Sequence, residues 1–318
     1  MAAPLRLHSG EYPGLRAEQR RLERAVAGRY RVIEAVSRGG MATVWRAFEP
    51  GIERQVALKL LSPSLCGDDE HRGRFRREAR ILGALAHPNI VPVLGFGELD
   101  GACWFAMPFL AGGTLESRLA ERRLDPESAR RILIQLADGL AFAHAQGVVH
   151  RDIKAENVAF DASGRPVLTD FGIATLATSD HSRSEITKGS GTAHYMAPEQ
   201  LLGSPEADGR VDLYALGVLG FRMLTGRFPF EGNADQVSAR RLTNDAPPVA
   251  AFAAGVPAAL AAAVDRCLAR RPADRWGGAA ELRDALLART AAGPLKQAGA
   301  ALRRLLGRPS RAAALLMF

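Results

Sequence analysis

Two short stretches of the sequence carry residues whose types and spacing suit the handling of a polyphosphate. Small residues dominate the run 37–42 (SRGGMA), which precedes Val44, and small side chains let backbone N–H groups approach phosphate oxygens. Fifteen residues beyond Val44, Lys59 lies in the apolar run VALK, where an ammonium normally needs a partner. Taken alone, the first stretch is equally typical of an ordinary hairpin turn, and the second of a solvated lysine at a strand end.

Lysine is scarce in this chain, and its positions are therefore informative. Of the 42 basic residues 38 are arginine, and the four lysines are Lys59, Lys154, Lys188 and Lys296. Where arginine is the default cation, a lysine indicates a place that needs a compact ammonium. The candidate partner of Lys59 is Glu78, which shares one face of a predicted helix with Phe75 and Leu82.

Three further motifs follow in a fixed order. Residues 150–157 read HRDIKAEN, residues 170–172 read DFG, and residues 197–199 read APE. With the two stretches above, they make the chain from 29 to 289 resemble a eukaryotic-like (Hanks-type) protein kinase. The stretches GGMATVWRA and GTAHYMAPEQ are most similar to the corresponding motifs of bacterial serine/threonine kinases.

The resemblance implies a chemical role for four residues of these motifs. Asp152 accepts or orients the proton of the acceptor hydroxyl, and Lys154 places an ammonium near the transferred phosphoryl group. Asn157 and Asp170 supply oxygen ligands to Mg²⁺, with Mn²⁺ as an alternative metal. Lys154 also indicates a serine or threonine acceptor, because tyrosine kinases typically carry alanine at this position.

The resemblance also implies an ATP site at the junction of two lobes. Lys59, held by Glu78, contacts the α- and β-phosphates, so both join Asp152 and Lys154 as catalytic candidates. Met107 takes the gatekeeper position, and Pro108 replaces a common glutamate but keeps the carbonyl that adenine needs. The implied nucleotide-binding set is Val36, Ser37, Arg38, Gly39, Gly40, Met41, Ala42, Val44, Ala57, Lys59, Met107, Pro108, Leu110 and Ala159.

The segment between 170 and 199 is implied to be regulatory. Thr187 and Ser190 are the preferred phosphorylation sites, whereas Thr192 is structural, and Arg151 can pair with a phosphorylated loop. Outside this segment the family suggests an ion pair of Glu199 with Arg275. It also suggests that Asp212 braces the catalytic loop.

The elements that must position these residues follow from the hydropathy pattern. Strands are predicted at 29–36, 42–50, 54–61, 90–97 and 102–107, with one helix at 70–86. Further helices are predicted at 15–27, 114–122, 126–146, 196–202, 208–225, 235–242, 257–269 and 278–289. The fold class is therefore α+β: a bilobal, kinase-like fold with a small β-rich N-lobe (29–107), one key helix, and a larger helical C-lobe (108–289).

Composition excludes several other classes of protein. The chain has 318 residues, 47% of them apolar and 24% charged, which is typical of a protein with a large core. No apolar run approaches 18 residues, and the first residues do not read as a secretory signal. Cys66, Cys103 and Cys267 are isolated, which fits a reducing cytoplasm and predicts neither a disulfide framework nor a zinc site.

The net charge of +8 lies in the two ends of the chain. Between residues 30 and 289 there are 31 basic and 31 acidic residues, so the body is no basic domain and specific nucleic-acid binding is not expected. Outside this neutral body lie the Arg-rich extension 1–28 and the basic tail 290–318. The tail could lie on an anionic membrane surface, dock on the kinase or a partner, or stay solvated.

Two interpretations of the whole chain follow. The first is an active kinase that uses ATP and Mg²⁺, takes protein substrates with serine or threonine, and self-associates for autophosphorylation in trans. The second is a pseudokinase or scaffold that acts by binding, since Ser37, Ala42 and Ala155 depart from the commonest family pattern. The presence of every catalytic group favours the first interpretation.

Overall fold

The computed structural model describes residues 14–40, 42–171, 191–205 and 207–288. The predictions that concern Met41, Thr187, Ser190, the side chain of Thr192 and the tail 290–318 lie outside the described residues. Within the described ranges, no helix has the length and apolar character needed to cross a lipid bilayer.

A five-stranded sheet forms the N-lobe. Its strands are β1 (Arg31–Arg38), β2 (Ala42–Glu49), β3 (Arg54–Leu61), β4 (Gly95–Leu99) and β5 (Ala102–Pro108). They lie in the order β1-β2-β3-β5-β4, and each neighbouring pair is antiparallel. The prediction of three consecutive N-terminal strands is confirmed to within two residues at each end.

The two faces of this sheet pack against different helices, because side chains alternate along each strand. Trp45, Leu58 and Trp104 lie on the outer face, in a core that includes residues of helix α1 (Leu15–Ala25). Ala57 and Phe105 lie on the inner face, in the core shared with helix α2 (Asp69–Gly83) and the C-lobe. The inner face is therefore the one that can form a nucleotide cleft.

The connection after α2 differs from the prediction. The pattern predicts a strand over 90–97, but β4 begins at Gly95. The N–H of Leu94 donates to Ala106 O of β5 at 2.8 Å, but Ile90 and Val91 pair with the C-lobe: Ile90 bridges Leu168, and the N–H of Val91 donates to Leu168 O at 2.9 Å. Because Leu168 lies in the other lobe, this apolar segment joins the lobes rather than extending the sheet.

Helices build the C-lobe around one long buried element. The helices are α3 (Leu115–Glu121), α4 (Pro126–Ala145), α5 (Pro198–Leu201), α6 (Arg210–Thr225), α7 (Ala234–Thr243), α8 (Ala258–Cys267) and α9 (Ala279–Ala288). In α6 nearly every residue from Val211 to Leu224 is buried, so the other helices pack around it. The predicted bilobal α+β fold is confirmed.

A short hairpin in the C-lobe was not predicted. It consists of β6 (Val158–Phe160) and β7 (Pro166–Leu168), which pair in antiparallel register. Three-residue strands leave too little alternation for a sequence pattern to reveal them. The hairpin matters because the catalytic motifs lie at its two ends.

Candidate active site

The loop between α4 and β6 is braced from beneath by one buried carboxylate. Asp212, at the start of α6, is 1% exposed. It accepts the backbone N–H groups of His150 and Arg151, each at 2.8 Å, and Nε2 of His144 lies 2.8 Å from the same carboxylate. Arg151 has a φ of 64°, in the left-handed region that a non-glycine residue rarely adopts. The bracing role predicted for Asp212 is thus seen in the structure, and it fixes a strained turn.

Two predicted catalytic residues and one predicted metal ligand meet above this brace. The side-chain amide of Asn157 donates to the backbone O of Asp152 at 2.8 Å and to Oδ2 of the same residue at 3.0 Å. Lys154 Nζ lies 3.1 Å from that Oδ2. The carboxylate is therefore held by one oxygen, while the other, Oδ1, is buried and lacks a hydrogen-bond partner among the described residues.

Asp170 follows β7 and faces the same cleft from the opposite end of the hairpin. Its φ of 65° is again in the left-handed region, which turns its carboxylate toward the N-lobe. Lys59 Nζ of β3 lies 2.8 Å from its Oδ1. Burial alone would raise the pKa of Asp170, but Lys59, His150 and Lys154 together hold the pKa below its usual value. Asp170 is therefore ionised at neutral pH.

The predicted pair of Lys59 with Glu78 is wrong for this conformation. The carboxylate of Asp170 takes the ammonium of Lys59, and no described ion pair joins Lys59 to Glu78. Glu78 is half-buried on α2, and burial raises the pKa of its carboxyl, against the opposing charges of Arg151 and Arg77. Two carboxylates therefore compete for one lysine, and the sequence alone does not indicate which one wins.

The residues predicted to surround adenine lie around the cleft. Ala57 and Met107 are opposite each other in the β3–β5 pairing, and both are buried on the inner face. Val44 packs against the same core, and Ala159 of β6 is 9% exposed beneath them. The backbone N–H of Leu110 makes no hydrogen bond among the described residues, so this donor is available to a base.

The predicted phosphate loop is the turn between β1 and β2. Its described residues Ser37, Arg38, Gly39 and Gly40 are exposed, and the N–H of Gly39 donates to Ala42 O at 2.9 Å. Val36 precedes them on β1 and is half-buried. The turn therefore joins β1 and β2 as an exposed hairpin, and its role as a phosphate loop stays a prediction.

A buried arginine that the sequence analysis missed holds the segment 193–196. Arg241 of α7 is 2% exposed. Its guanidinium donates to the backbone O of Ala193 at 2.7 Å, of His194 at 2.7 Å and of Met196 at 2.5 Å. Burial lowers the pKa of Arg241, and the nearby Tyr214 opposes that shift. In an arginine-rich helix, no sequence pattern marks this residue as different from Arg240.

The predicted Glu199–Arg275 ion pair is present and buried. The two guanidinium nitrogens of Arg275 lie 2.6 and 2.9 Å from the carboxylate oxygens of Glu199. The Arg275 side chain is 0% exposed, and it also donates to the backbone O of Arg210 at 2.9 Å. This pair fixes α5 against α6, next to the segment that Arg241 holds.

A second cluster near that segment was also missed. Arg222 of α6 donates to Glu116 of α3 through two nitrogens, at 2.5 and 2.8 Å, and to the hydroxyl of Tyr195 at 2.9 Å. Burial, against the opposing charge of Arg222, raises the pKa of Tyr195 to about 12. The cluster links the 191–199 segment to α3 and α6, and both sides of that segment are thus anchored.

Known proteins that are similar to this chain over most of its length are protein kinases. The protein kinase domain family matches residues 30–286. The serine/threonine-protein kinase PrkC of Bacillus subtilis is 36% identical over 262 residues, which cover 81% of this chain and 40% of PrkC. PknE of Mycobacterium bovis, also a serine/threonine-protein kinase, is 37% identical over 278 residues, which cover 87% of this chain and 49% of PknE. The chain thus spans less than half the length of these curated relatives.

Solved structures with similar folds are kinases as well. The PknI kinase domain of Mycobacterium tuberculosis superposes with a TM-score of 0.64 at 32% identity, over 81% of this chain and 95% of that one. Rad53 residues 1–466, in complex with AMP-PNP, gives a TM-score of 0.64 at 26% identity, over 80% of this chain and 64% of that one. The similarity covers both lobes of the fold.

Proposed function

The chain belongs to the protein kinase domain family, and on that premise we propose that it transfers the γ-phosphoryl group of ATP to serine and threonine hydroxyls of proteins. The relatives named serine/threonine-protein kinase support this acceptor class. The observation that carries the proposal is the convergence of Asp152, Lys154 and Asn157 with Lys59 and Asp170 in one cleft. These five groups are the ones that phosphoryl transfer requires.

Asn157 and Asp170 are the residues that would hold the metal, for which we propose Mg²⁺, with Mn²⁺ as an alternative. Mg²⁺ typically takes one or two protein oxygens and completes its shell with water and substrate phosphates. The cleft fits that habit, because the N–H of Thr169, directly before Asp170, donates to the backbone O of Asn157. The side-chain nitrogen of Asn157 is engaged with Asp152, which leaves its side-chain oxygen and the Asp170 carboxylate as two neighbouring oxygen donors. The lowered pKa of Asp170 keeps one ligand anionic. Bound Mg²⁺ neutralises charge on the phosphates.

Asp152 and Lys154 act on the acceptor side of the reaction. The unpaired Oδ1 of Asp152 accepts a hydrogen bond from the acceptor hydroxyl and thereby directs the hydroxyl oxygen at the phosphorus. It then takes the hydroxyl proton. The amide of Asn157 holds the other oxygen at 3.0 Å and thereby sets the direction of the carboxylate. The ammonium of Lys154, 3.1 Å from that oxygen, balances charge as it develops on the transferred group.

Lys59 must change partners before it can hold the α- and β-phosphates of ATP. Its ammonium is engaged with Asp170, which is also a proposed metal ligand. We propose that Lys59 leaves Asp170 when ATP binds and that Glu78 then takes over Lys59, which would free the Asp170 carboxylate to hold the metal. The raised pKa of Glu78, caused by burial, indicates that its carboxylate lacks full compensation and favours such a partner. The conformation with Lys59 on Asp170 is therefore a resting one.

The finer features of regulation and location are further parts of the proposal. We propose that copies of the chain associate and phosphorylate each other at Thr187 or Ser190, in a cytoplasmic setting. We also propose that the basic tail 290–318 contacts an anionic membrane surface or a partner. If so, the protein should sediment with anionic lipid vesicles, and the bound fraction should fall with salt and disappear when 290–318 is deleted. Binding that persists without the tail would contradict the last point.

Transfer of labelled γ-phosphate from Mg·ATP to a generic basic protein tests the proposal. The wild-type protein should label serine and threonine of the acceptor, and Asp152→Asn should abolish the signal. Asp284→Asn is the matched control, because the Asp284 side chain is 65% exposed and lies on α9, away from the cleft. Absence of transfer with either metal and in every phosphorylation state would refute catalysis and favour a role in binding alone.

A further inference from the structure

Helix α1 carries a carboxylate where an apolar residue would be expected. Leu15 and Leu22, seven residues apart, are both buried against the outer face of the sheet. Glu18 lies between them, three residues after Leu15 and four before Leu22, and therefore on the same side of the helix. Its side chain is 23% exposed. A carboxylate on a buried stripe needs hydrogen-bond partners from the surface that it faces.

Those partners are the two stems of the predicted phosphate loop. Arg38 Nη2, at the end of β1, lies 2.7 Å from Oε1 of Glu18. The hydroxyl of Thr43, on β2, donates to Oε2 at 2.8 Å. Arg38 and Thr43 are opposite each other in the β1–β2 register, directly before the turn. One carboxylate therefore links both strands at the point where the hairpin leaves the sheet.

The contact reaches the loop from the face opposite the cleft. Thr43 is 4% exposed on the outer side of β2, whereas its neighbour Val44 packs on the inner side. Burial of the Thr43 hydroxyl makes Glu18 a needed acceptor, since an unpaired buried hydroxyl is costly. Glu18 thus acts on the loop without occupying space that a nucleotide would use.

We propose that Glu18 is a positioning residue for ATP binding: it fixes Arg38 and Thr43, the stems of the turn, and thereby sets the backbone of Gly39 and Gly40 for close approach of the phosphates. The inference rests on the proposed function. It extends the nucleotide site to a helix that lies before the 30–286 range matched by the family. Without the carboxylate the hairpin samples more conformations, and ATP binding must then order it.

Four variants of the full chain isolate this contact. Glu18→Ala removes both bonds, and Glu18→Gln keeps an acceptor for Thr43 but loses the charge opposite Arg38. Thr43→Val removes one bond at nearly constant shape. Glu23→Ala is the matched control, because Glu23 is exposed on the same helix and accepts a bond from Gln19 at 3.0 Å.

The expected result is a change in nucleotide affinity rather than in turnover. Glu18→Ala should raise the KM for ATP and the Kd for Mg·ADP roughly fivefold, with kcat changed less than about twofold. Glu18→Gln and Thr43→Val should each give a smaller increase, and Thr43→Val combined with Glu18→Ala should add nothing to Glu18→Ala alone, because the two act through one contact. Glu23→Ala should match the wild type.

Amide hydrogen exchange of residues 38–43 without nucleotide separates this inference from the proposed function. Faster exchange in Glu18→Ala, larger in this segment than in the rest of the sheet, is the expected result. If the wild-type protein transferred no phosphate, the proposed function would fail. Amide exchange alone would then decide whether Glu18 holds the stems of the turn. The positioning role of Glu18 is refuted if Glu18→Ala equals the wild type in amide exchange, in the KM for ATP and in the Kd for Mg·ADP. A lower KM would refute it too, because Glu18 would then be withholding Arg38 from the phosphates.

Discussion

The two sides of the cleft are held in different ways. On the C-lobe side, Asp212 is buried and bonds two successive backbone N–H groups, at His150 and Arg151. On the N-lobe side, Lys59 is engaged with a proposed metal ligand, and the turn 39–42 rests on the partly exposed carboxylate of Glu18. Buried, fully bonded groups hold one geometry, whereas partly exposed contacts such as those of Glu18 exchange partners at lower cost. The acceptor side of the site is therefore organised before any ligand binds.

The position of α2 belongs to the exchangeable side. Arg72 and Arg76 on this helix bond Glu98 of β4, at 3.1 and 3.0 Å. The Arg76 side chain is 54% exposed, so the contact lies at the surface. These contacts hold α2 where Glu78 does not reach Lys59. Because these ion pairs are partly exposed, we expect them to break at little cost when the nucleotide binds.

The largest effect should come from the buried brace. Asp212→Asn removes the charge that accepts the His150 and Arg151 amides, and should lower the free energy of unfolding by about 3 kcal/mol. Phosphoryl transfer should fall with it, because the turn that carries Asp152 loses its support. Chemical denaturation and the transfer assay measure both effects. Asp245→Asn, whose side chain is 87% exposed, is the control. A loss no larger than that of the control would break the contrast between the two sides.

Glu199→Gln should have a somewhat smaller effect. It leaves the guanidinium of Arg275 buried with backbone acceptors but no carboxylate, and should lower the free energy of unfolding by about 2 kcal/mol. The matched control is Glu231→Gln, which opens an exposed pair with Arg227 on the same lobe. Equal denaturation midpoints for the two variants would show that the buried pair contributes no more than a surface pair.

Arg241→Met should change the KM for a protein acceptor and leave the KM for ATP unchanged. The change removes the donors to the backbone of Ala193, His194 and Met196, and the apolar side chain suits the buried position. The KM for a protein acceptor should rise about threefold, with the KM for ATP unchanged, since a bond of this kind contributes about 1 kcal/mol. Arg240→Met, on the exposed side of the same helix, is the control. Equal changes in both KM values would contradict a role confined to the acceptor side.

The smallest effect on stability is expected at Glu98. Glu98→Gln weakens the contacts with Arg72 and Arg76, and should lower the free energy of unfolding by less than about 1 kcal/mol. Because α2 is then less restrained, the Kd for Mg·ADP should not increase. A large loss of stability, or weaker nucleotide binding, would show that the N-lobe side is as fixed as the C-lobe side.

The sequence predicted the site best where a motif is short and continuous. Residues 150–157 bring Asp152, Lys154 and Asn157 together within one loop, so their contacts needed little tertiary information. The pair of Lys59 with Glu78 is absent from this conformation because two carboxylates distant in sequence compete for one ammonium. That competition depends on the position of α2, which no local pattern records.

Other features lacked a usable signal altogether. The apolar residues 90–94 read as a strand, but the backbone partner of Ile90 and Val91 lies in the other lobe. Arg241 differs from Arg240 only in the side of α7 that it occupies, and the weak amphipathicity of that helix hides this. Glu18 did carry a signal, since it interrupts the spacing of Leu15 and Leu22. An acidic residue on an apolar stripe is a reason to look for a buried partner.

Amide hydrogen exchange with and without Mg·ADP tests the contrast between the two sides most directly. The amides of His150 and Arg151 should be protected already in the free protein, since both donate to Asp212 at 2.8 Å. The turn at 39–42 and helix α2 should exchange faster in the free protein and slow markedly when the nucleotide binds. If the amides of His150 and Arg151 exchanged freely at first and gained protection together with the turn, the account of a C-lobe side organised in advance would be contradicted.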